Sequence, residues 1–168
     1  MSAVGAGHPV LAAAPDWPRA LRVYLGVIAV GNLAWEAAHL PLYTLWNTGT
    51  VREKLFAIVH CTGGDVLIAL TCLAIALITV GHRDWPLRAF RPVAVVTVVL
   101  GIGYTIFSEW LNIVVRQSWA YSERMPVVPV IDIGVTPLLQ WLVVPLVALW
   151  LARRMARREL PVPASLNR

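Results

Sequence analysis

The sequence predicts an all-α, polytopic membrane protein: a four-transmembrane-helix up-down bundle with both termini cytoplasmic. Three observations carry that prediction. Four apolar blocks, residues 24–46, 55–80, 93–115 and 136–155, each approach the roughly 20 residues a helix needs to cross about 30 Å of hydrocarbon. Charged residues make up 14% of the 168, against about 25% in soluble domains, and the mean hydropathy is +0.69. The basic residues are also unevenly placed. Ten of fourteen lie before block one (Arg19, Arg22), between blocks two and three (Arg83, Arg88, Arg91) or after block four (Arg153, Arg154, Arg157, Arg158, Arg168). The other two loops share Arg52, Lys54, Arg116 and Arg124. An excess of Lys and Arg marks the cytoplasmic side, which puts both ends and the middle loop there.

None of the blocks alternates with period two, and in lipid only a helix satisfies its own backbone hydrogen bonds. Residues 19–158 therefore read as one transmembrane domain. Residues 1–18 have no positive stretch ahead of a short apolar core, so they read as a flexible cytoplasmic tail and not a signal peptide. Residues 159–168, with Pro161 and Pro163, read as a second flexible tail. The net charge of +5 serves topology and contact with anionic lipid headgroups; no nucleic-acid partner is expected. Cys61 and Cys72 share the second span at about 16 Å separation, too far for a disulfide, and there is no CxxC pair for thiol redox chemistry.

Polar residues gather in the outer halves of the spans. In block one, Asn32, Glu36, His39 and Tyr43 recur at i, i+4, i+7 and i+11, within about 60° of one another on one helix face. Block two contributes His60, Cys61 and Asp65. Block three has Tyr104, Ser108 and Asn112 at i+4 spacing, together with Glu109, and block four has Gln140 near its outer start. Counted from the outer ends, His39, His60 and Glu109 lie about 8–10 Å deep and Glu36 and Asp65 about 15 Å. The spacing predicts an outer tier of His39, His60, Glu109, Asn112 and Gln140 above a deeper pair, Glu36 and Asp65. The inner halves should be dry.

A charged side chain in a membrane helix costs about 2.5–3.5 kcal/mol on insertion scales. Three carboxylates stand within the spans, and no Lys or Arg does apart from Arg153 and Arg154 at the inner end of block four. They call for protons, for charged histidines or for a bound cation. The expected site is a divalent metal held by Glu36, His39, His60 and Glu109. Asp65, Asn32, Tyr43, Cys61, Tyr104, Ser108, Asn112 and Gln140 would orient those ligands or handle protons. Glu36 and His39 have the i, i+3 spacing that puts a carboxylate and an imidazole on one metal in helix bundles, and mixed nitrogen and oxygen ligands suit zinc or iron, with copper open. Such an ion could activate a small ligand arriving from the outer leaflet or the periplasm.

Three alternatives stay open. A b-type haem could be clasped between His39 and His60. An oligomer could move protons or ions along its interfaces. The protein could instead be a non-catalytic accessory subunit docked to a partner membrane protein, with the long outer loop, residues 116–135, as the docking element or the cover of the pocket. Individual residues also have bland readings. Asn32, Ser108, Asn112 and Gln140 are expected to hydrogen-bond between helices, and Gly31, Gly63, Gly64, Gly101 and Gly103 to let helices approach closely. Pro41 should kink the first helix just beyond His39. Trp17, Trp46, Trp119, Trp150 and Tyr121 read as interfacial belts; Trp35, Trp110 and Trp141 could wall a pocket.

The Trp35-Glu36-x-x-His39-x-Pro41-Leu-Tyr43 segment, the run from His60 to Asp65, and Ser108-Glu-Trp-Leu-Asn112 followed by Trp119-Ala-Tyr121 resemble a group of bacterial four-helix membrane proteins of unassigned activity. The resemblance spans residues 24–154. It implies a bacterial inner-membrane location and no particular chemistry.

Overall fold

A computed structural model describes residues 15–156, so most of both expected tails, with Arg157, Arg158 and Arg168, falls outside the described residues. The described chain is mostly helical, and four helices are long and apolar enough to cross a membrane. Helix α1 (Trp17–His39) starts inside the expected tail. Asp16 caps it by accepting the Arg19 N–H at 3.1 Å, and Pro18 occupies the first turn, where no backbone donor is needed. Its outer end also differs from expectation. The helix stops at His39 instead of kinking; Leu40–Leu42 tightens into one 3₁₀ turn around Pro41, which has no N–H to offer.

A single turn, α2 (Leu45–Thr48), leads to α3 (Val51–Val80). Thr50 and Glu53 form a capping box at the start of α3: the Thr50 N–H donates to Glu53 Oε2 at 2.7 Å and the Glu53 N–H to Thr50 Oγ1 at 3.3 Å. Thirty residues make α3 about 45 Å long, more than the roughly 30 Å of a bilayer core, and its polar first turn accounts for about 5 Å of the excess. Helix α4 (Phe90–Glu109) widens into a π-helical turn at Trp110–Val115, and α5 (Val135–Met155) carries Pro145 inside it.

Helices α1, α3, α4 and α5 pack in a closed ring, each against the next and the last against the first. At one end lie the 81–89 loop and both ends of the described chain, where the Asp16 N–H donates to the Ala156 carbonyl at 3.1 Å. Trp85 plugs that end, fully buried against the Trp17 ring at 5.1 Å, and Trp17 Nε1 donates to the Arg83 carbonyl. Trp17 is thus a packing residue rather than a free belt residue. Above it the ring is filled by Tyr24, Ile28, Ala69, Leu73, Ala76, Val93 and Leu149, all essentially buried, with no carboxylate among them.

The outside of the ring is apolar: Val30, Leu67, Ile78, Val95 and Val99 are each more than half exposed. Small residues, Ala20, Ala69, Ala76, Ala148 and Ala152, lie buried among the larger core side chains and let the helices approach. Gly31 and Gly101 do serve close approach: a Cβ on Gly31 would stand 2.9 Å from Val144 Cγ1, and one on Gly101 would overlap the Trp141 ring. Gly63, Gly64 and Gly103 do not, since a Cβ on any of them would meet nothing within 4 Å.

At the opposite end, residues 116–134 fold back over the ring. Their short antiparallel pair, Val127–Val128 with Ile133–Gly134, sits beside a strap laid along the end of α1. The strap bonds backbone to backbone with the 42–44 segment: Thr44 N–H to the Ala120 carbonyl at 2.9 Å and Ser122 N–H to the Leu42 carbonyl at 2.9 Å. The long loop therefore covers this end, one of its two expected uses.

Candidate ligand cavity

Beneath the strap lies a cavity of about 330 Å³. Eleven of the twelve residues singled out from the sequence line it: Glu36, His39, Tyr43, His60, Cys61, Asp65, Tyr104, Ser108, Glu109, Asn112 and Gln140. Asn32 sits behind the wall. The cavity forms because α1, α3, α4 and α5 each turn a polar stripe inward at this level, so no apolar side chains meet there to close the ring.

The deeper cluster is centred on Gln140. Its Nε2 lies 2.9 Å from Asn32 Oδ1, 3.0 Å from Glu36 Oε1 and 3.0 Å from Asp65 Oδ2. An amide has two hydrogens, so three acceptors compete for them and one goes short. The two carboxyl groups share one donor atom, which places like charges side by side unless a proton or cation joins them. Gln140 therefore belongs with Glu36 and Asp65, not in the outer tier where counting along the helix put it. Asn32 Nδ2 in turn donates to the Ile28 carbonyl at 2.8 Å.

His39 forms the next level. It is 8% exposed, with Nε2 3.2 Å from Glu36 Oε2 and its ring edge against Tyr43. A carboxylate at Nε2 favours the tautomer with the proton there, which leaves Nδ1 as an acceptor. Nδ1 is buried and has no partner among the described residues.

Glu109, 7% exposed, accepts from the Tyr121 hydroxyl at 2.5 Å and, at the limit of a hydrogen bond, from the Tyr43 hydroxyl at 3.5 Å. The Tyr121 oxygen also accepts the Gly134 N–H at 2.8 Å. Burial raises both phenols above their ordinary range, and the neighbouring Glu109 carboxyl adds to this. They stay protonated and act as donors. Tyr121 is thus the latch that ties the strap to α4, not the belt residue that the sequence suggests. No periodicity could have marked it, because it lies in an irregular loop 12 residues beyond its partner.

No family model, curated protein or solved structure matches the chain.

The remaining candidates fall at the rim. His60 is exposed and stacks on Phe56 with ring centroids 5.3 Å apart; it reaches neither Glu36 nor Glu109 through a hydrogen bond. Tyr104 is 46% exposed. Asn112 does not bridge helices as expected: its Nδ2 turns back to the Ser108 carbonyl at 2.8 Å and Ser108 Oγ at 3.3 Å, both on its own helix. Cys61 lines the wall and Cys72 is buried away from it; both are free. Trp141 walls the pocket and so does Trp119, whose buried Nε1 lacks a partner; Trp35 packs on the apolar core and Trp110 faces outward.

Among the described residues, no three of the His, Cys, Asp and Glu side chains stand together as a metal-ligand set. No Lys or Arg pairs with Glu36, Asp65 or Glu109 among the described residues; their one ion-pair partner is His39, and only if it is protonated. Arg116, at the rim, is exposed.

Proposed function

We propose that this chain is a multi-pass protein of the bacterial inner membrane, and that its cavity binds a cation from the periplasmic half of the bilayer. The observation that carries the reading is the charge imbalance: three carboxyl groups line one cavity and, among the described residues, no Lys or Arg pairs with them, Arg116 standing exposed at the rim. Uncompensated carboxylates in a low-dielectric setting attract positive charge strongly. The distribution of basic residues supports an orientation. Arg19, Arg22, Arg83, Arg88, Arg91, Arg153 and Arg154 lie at the end away from the cavity, against Arg52, Lys54, Arg116 and Arg124 at the cavity end, and the richer end is the one favoured for the cytoplasm. The resemblance to bacterial four-helix membrane proteins supports the location.

For a metal, Glu36 and His39 are the favoured pair, held 3.2 Å apart on one helix face. The other two expected ligands are engaged elsewhere, Glu109 by two tyrosines and His60 at the rim, so a metal here would take its remaining ligands from water or a bound molecule. A haem between His39 and His60 has less support, because Glu36 occupies His39 Nε2 and His60 lies exposed. Calorimetric titration of the detergent-purified chain with Zn²⁺, Fe²⁺ and propylammonium tests the proposal, beside metal analysis and an absorption spectrum. At least one cation should bind, and Glu36→Gln with Asp65→Asn should weaken it about tenfold or more. Binding of none of them, or binding indifferent to both substitutions, would sink the reading.

A further inference from the structure

We infer that the ligand is an amphiphile with a protonated amine head, entering from the hydrocarbon through a gap between α3 and α4; this rests on the cavity binding a cation at all. The rim decides the route. Of the residues lining the cavity, three are exposed: Arg116, just past the outer end of α4, and, deeper, His60 on α3 and Tyr104 on α4. His60 lies about 14 Å along α3 from its start, and Tyr104 about 16 Å short of the end at Val115. Arg116 marks the rim at the helix end, and His60 and Tyr104 carry it down between the two helices. That lower part of the rim lies within the apolar stretch, beside Phe56, Val59 and Phe107, which are 67%, 66% and 52% exposed.

The glycines agree. Gly64 lines the cavity beside this rim, and neither it nor Gly103 on α4 has any atom within 4 Å of where a Cβ would stand. On the opposite side of the ring Gly31 and Gly101 are filled against Val144 and Trp141. With Gly63 and Gly103 exposed on the outer face and Gly64 on the cavity side, small residues thin the wall between α3 and α4 at this level.

The head group follows from the interior. Glu36 and Asp65 compete for the Gln140 amide, and buried His39 presents an unpartnered Nδ1, an acceptor waiting for a donor. An ammonium supplies positive charge and three N–H donors at once. A bare metal ion would leave most of about 330 Å³ unfilled, a volume at the lower end of pockets for small organic ligands, roughly 300–1,000 Å³. The alkyl chain of the amine would leave between His60 and Tyr104 and stay in lipid.

Native mass spectrometry of the full-length protein from detergent, titrated separately with dodecylamine, propylamine, dodecanol and Zn²⁺, tests this. A single dodecylamine should bind about tenfold or more tightly than propylamine or dodecanol, because head and tail are both read. Gly64→Leu, which grows a side chain into the open space, should abolish the advantage of the long chain while the unfolding temperature holds. Asp65→Asn should weaken both amines. Propylamine binding as tightly as dodecylamine would overturn entry from lipid and leave the cation reading standing. Dodecanol matching dodecylamine would show that charge is not read, and overturn the inference. If neither amine binds, the inference falls; if Zn²⁺ and Fe²⁺ fail as well, the cation reading falls with it.

Discussion

Gln140 presents one amide group to three oxygens, Asn32 Oδ1, Glu36 Oε1 and Asp65 Oδ2. Leaving a buried acceptor without its donor costs about 1–3 kcal/mol. Gln140→Leu should therefore lower the thermal unfolding temperature clearly, whereas Asn112→Ala, which removes bonds internal to one helix, should barely move it. Equal effects would contradict the shared-donor geometry. Tyr121→Phe removes the hydroxyl that serves Glu109 and Gly134 together, and is expected to cost about 1–3 kcal/mol in the same assay. It should also speed protease cleavage within residues 116–134, since the latch on the strap is gone. At this scale, the sequence told which residues are polar and which face they share. It could not tell which neighbour each would meet: periodicity fixes an angle around one helix and says nothing of the rotation of the next. Gln140 was therefore found without its partners, and Tyr121, outside any helix, was read as a belt residue.

Helix contacts rest on two glycines that fit a neighbour and not on the three that face open space. Gly101→Ala should push α4 from α5 by setting a methyl into the Trp141 ring, an overpacking cost of about 1–3 kcal/mol. Gly103→Ala, two residues away, should be neutral or stabilise by up to about 1 kcal/mol, since Ala favours helix and the space is free. Comparison of the two unfolding temperatures checks this; a drop for Gly103→Ala would close the proposed gap. The four long helices were legible because hydropathy over about 20 residues is a strong signal. Their ends were less so. Trp17 to Val23 is too mixed, with Arg19 and Arg22, to read as part of a span, yet a capped turn starts there. Leu45 and Trp46 are apolar enough to extend block one, but Pro41 had already ended the helix.

Across the whole molecule, basic charge collects at one end and carboxyl groups at the other, with a dry core of buried Tyr24, Leu73 and Leu149 between them. Alkaline phosphatase fused within residues 116–134 should be active in a bacterial host, and fused within residues 81–89 inactive. The reverse pattern would invert the proposed orientation and turn the cavity toward the cytoplasm. The dry core also limits what one copy of the chain can do. With no carboxyl, imidazole or basic side chain among the described residues bridging the lower half of the ring, the cavity is a receptacle with one open face, and a continuous proton path would need a second chain to build it.

The shared donor has a consequence for how the protein is made. Glu36 on α1 and Asp65 on α3 leave the ribosome before α5 and its Gln140. On the proposed topology, the nascent chain holds two membrane-embedded acids with no amide between them until α5 arrives. Helix α5 is then more than a fourth wall: its docking is the step that completes the polar interior, and a chain halted before it would hold two acids without the amide between them.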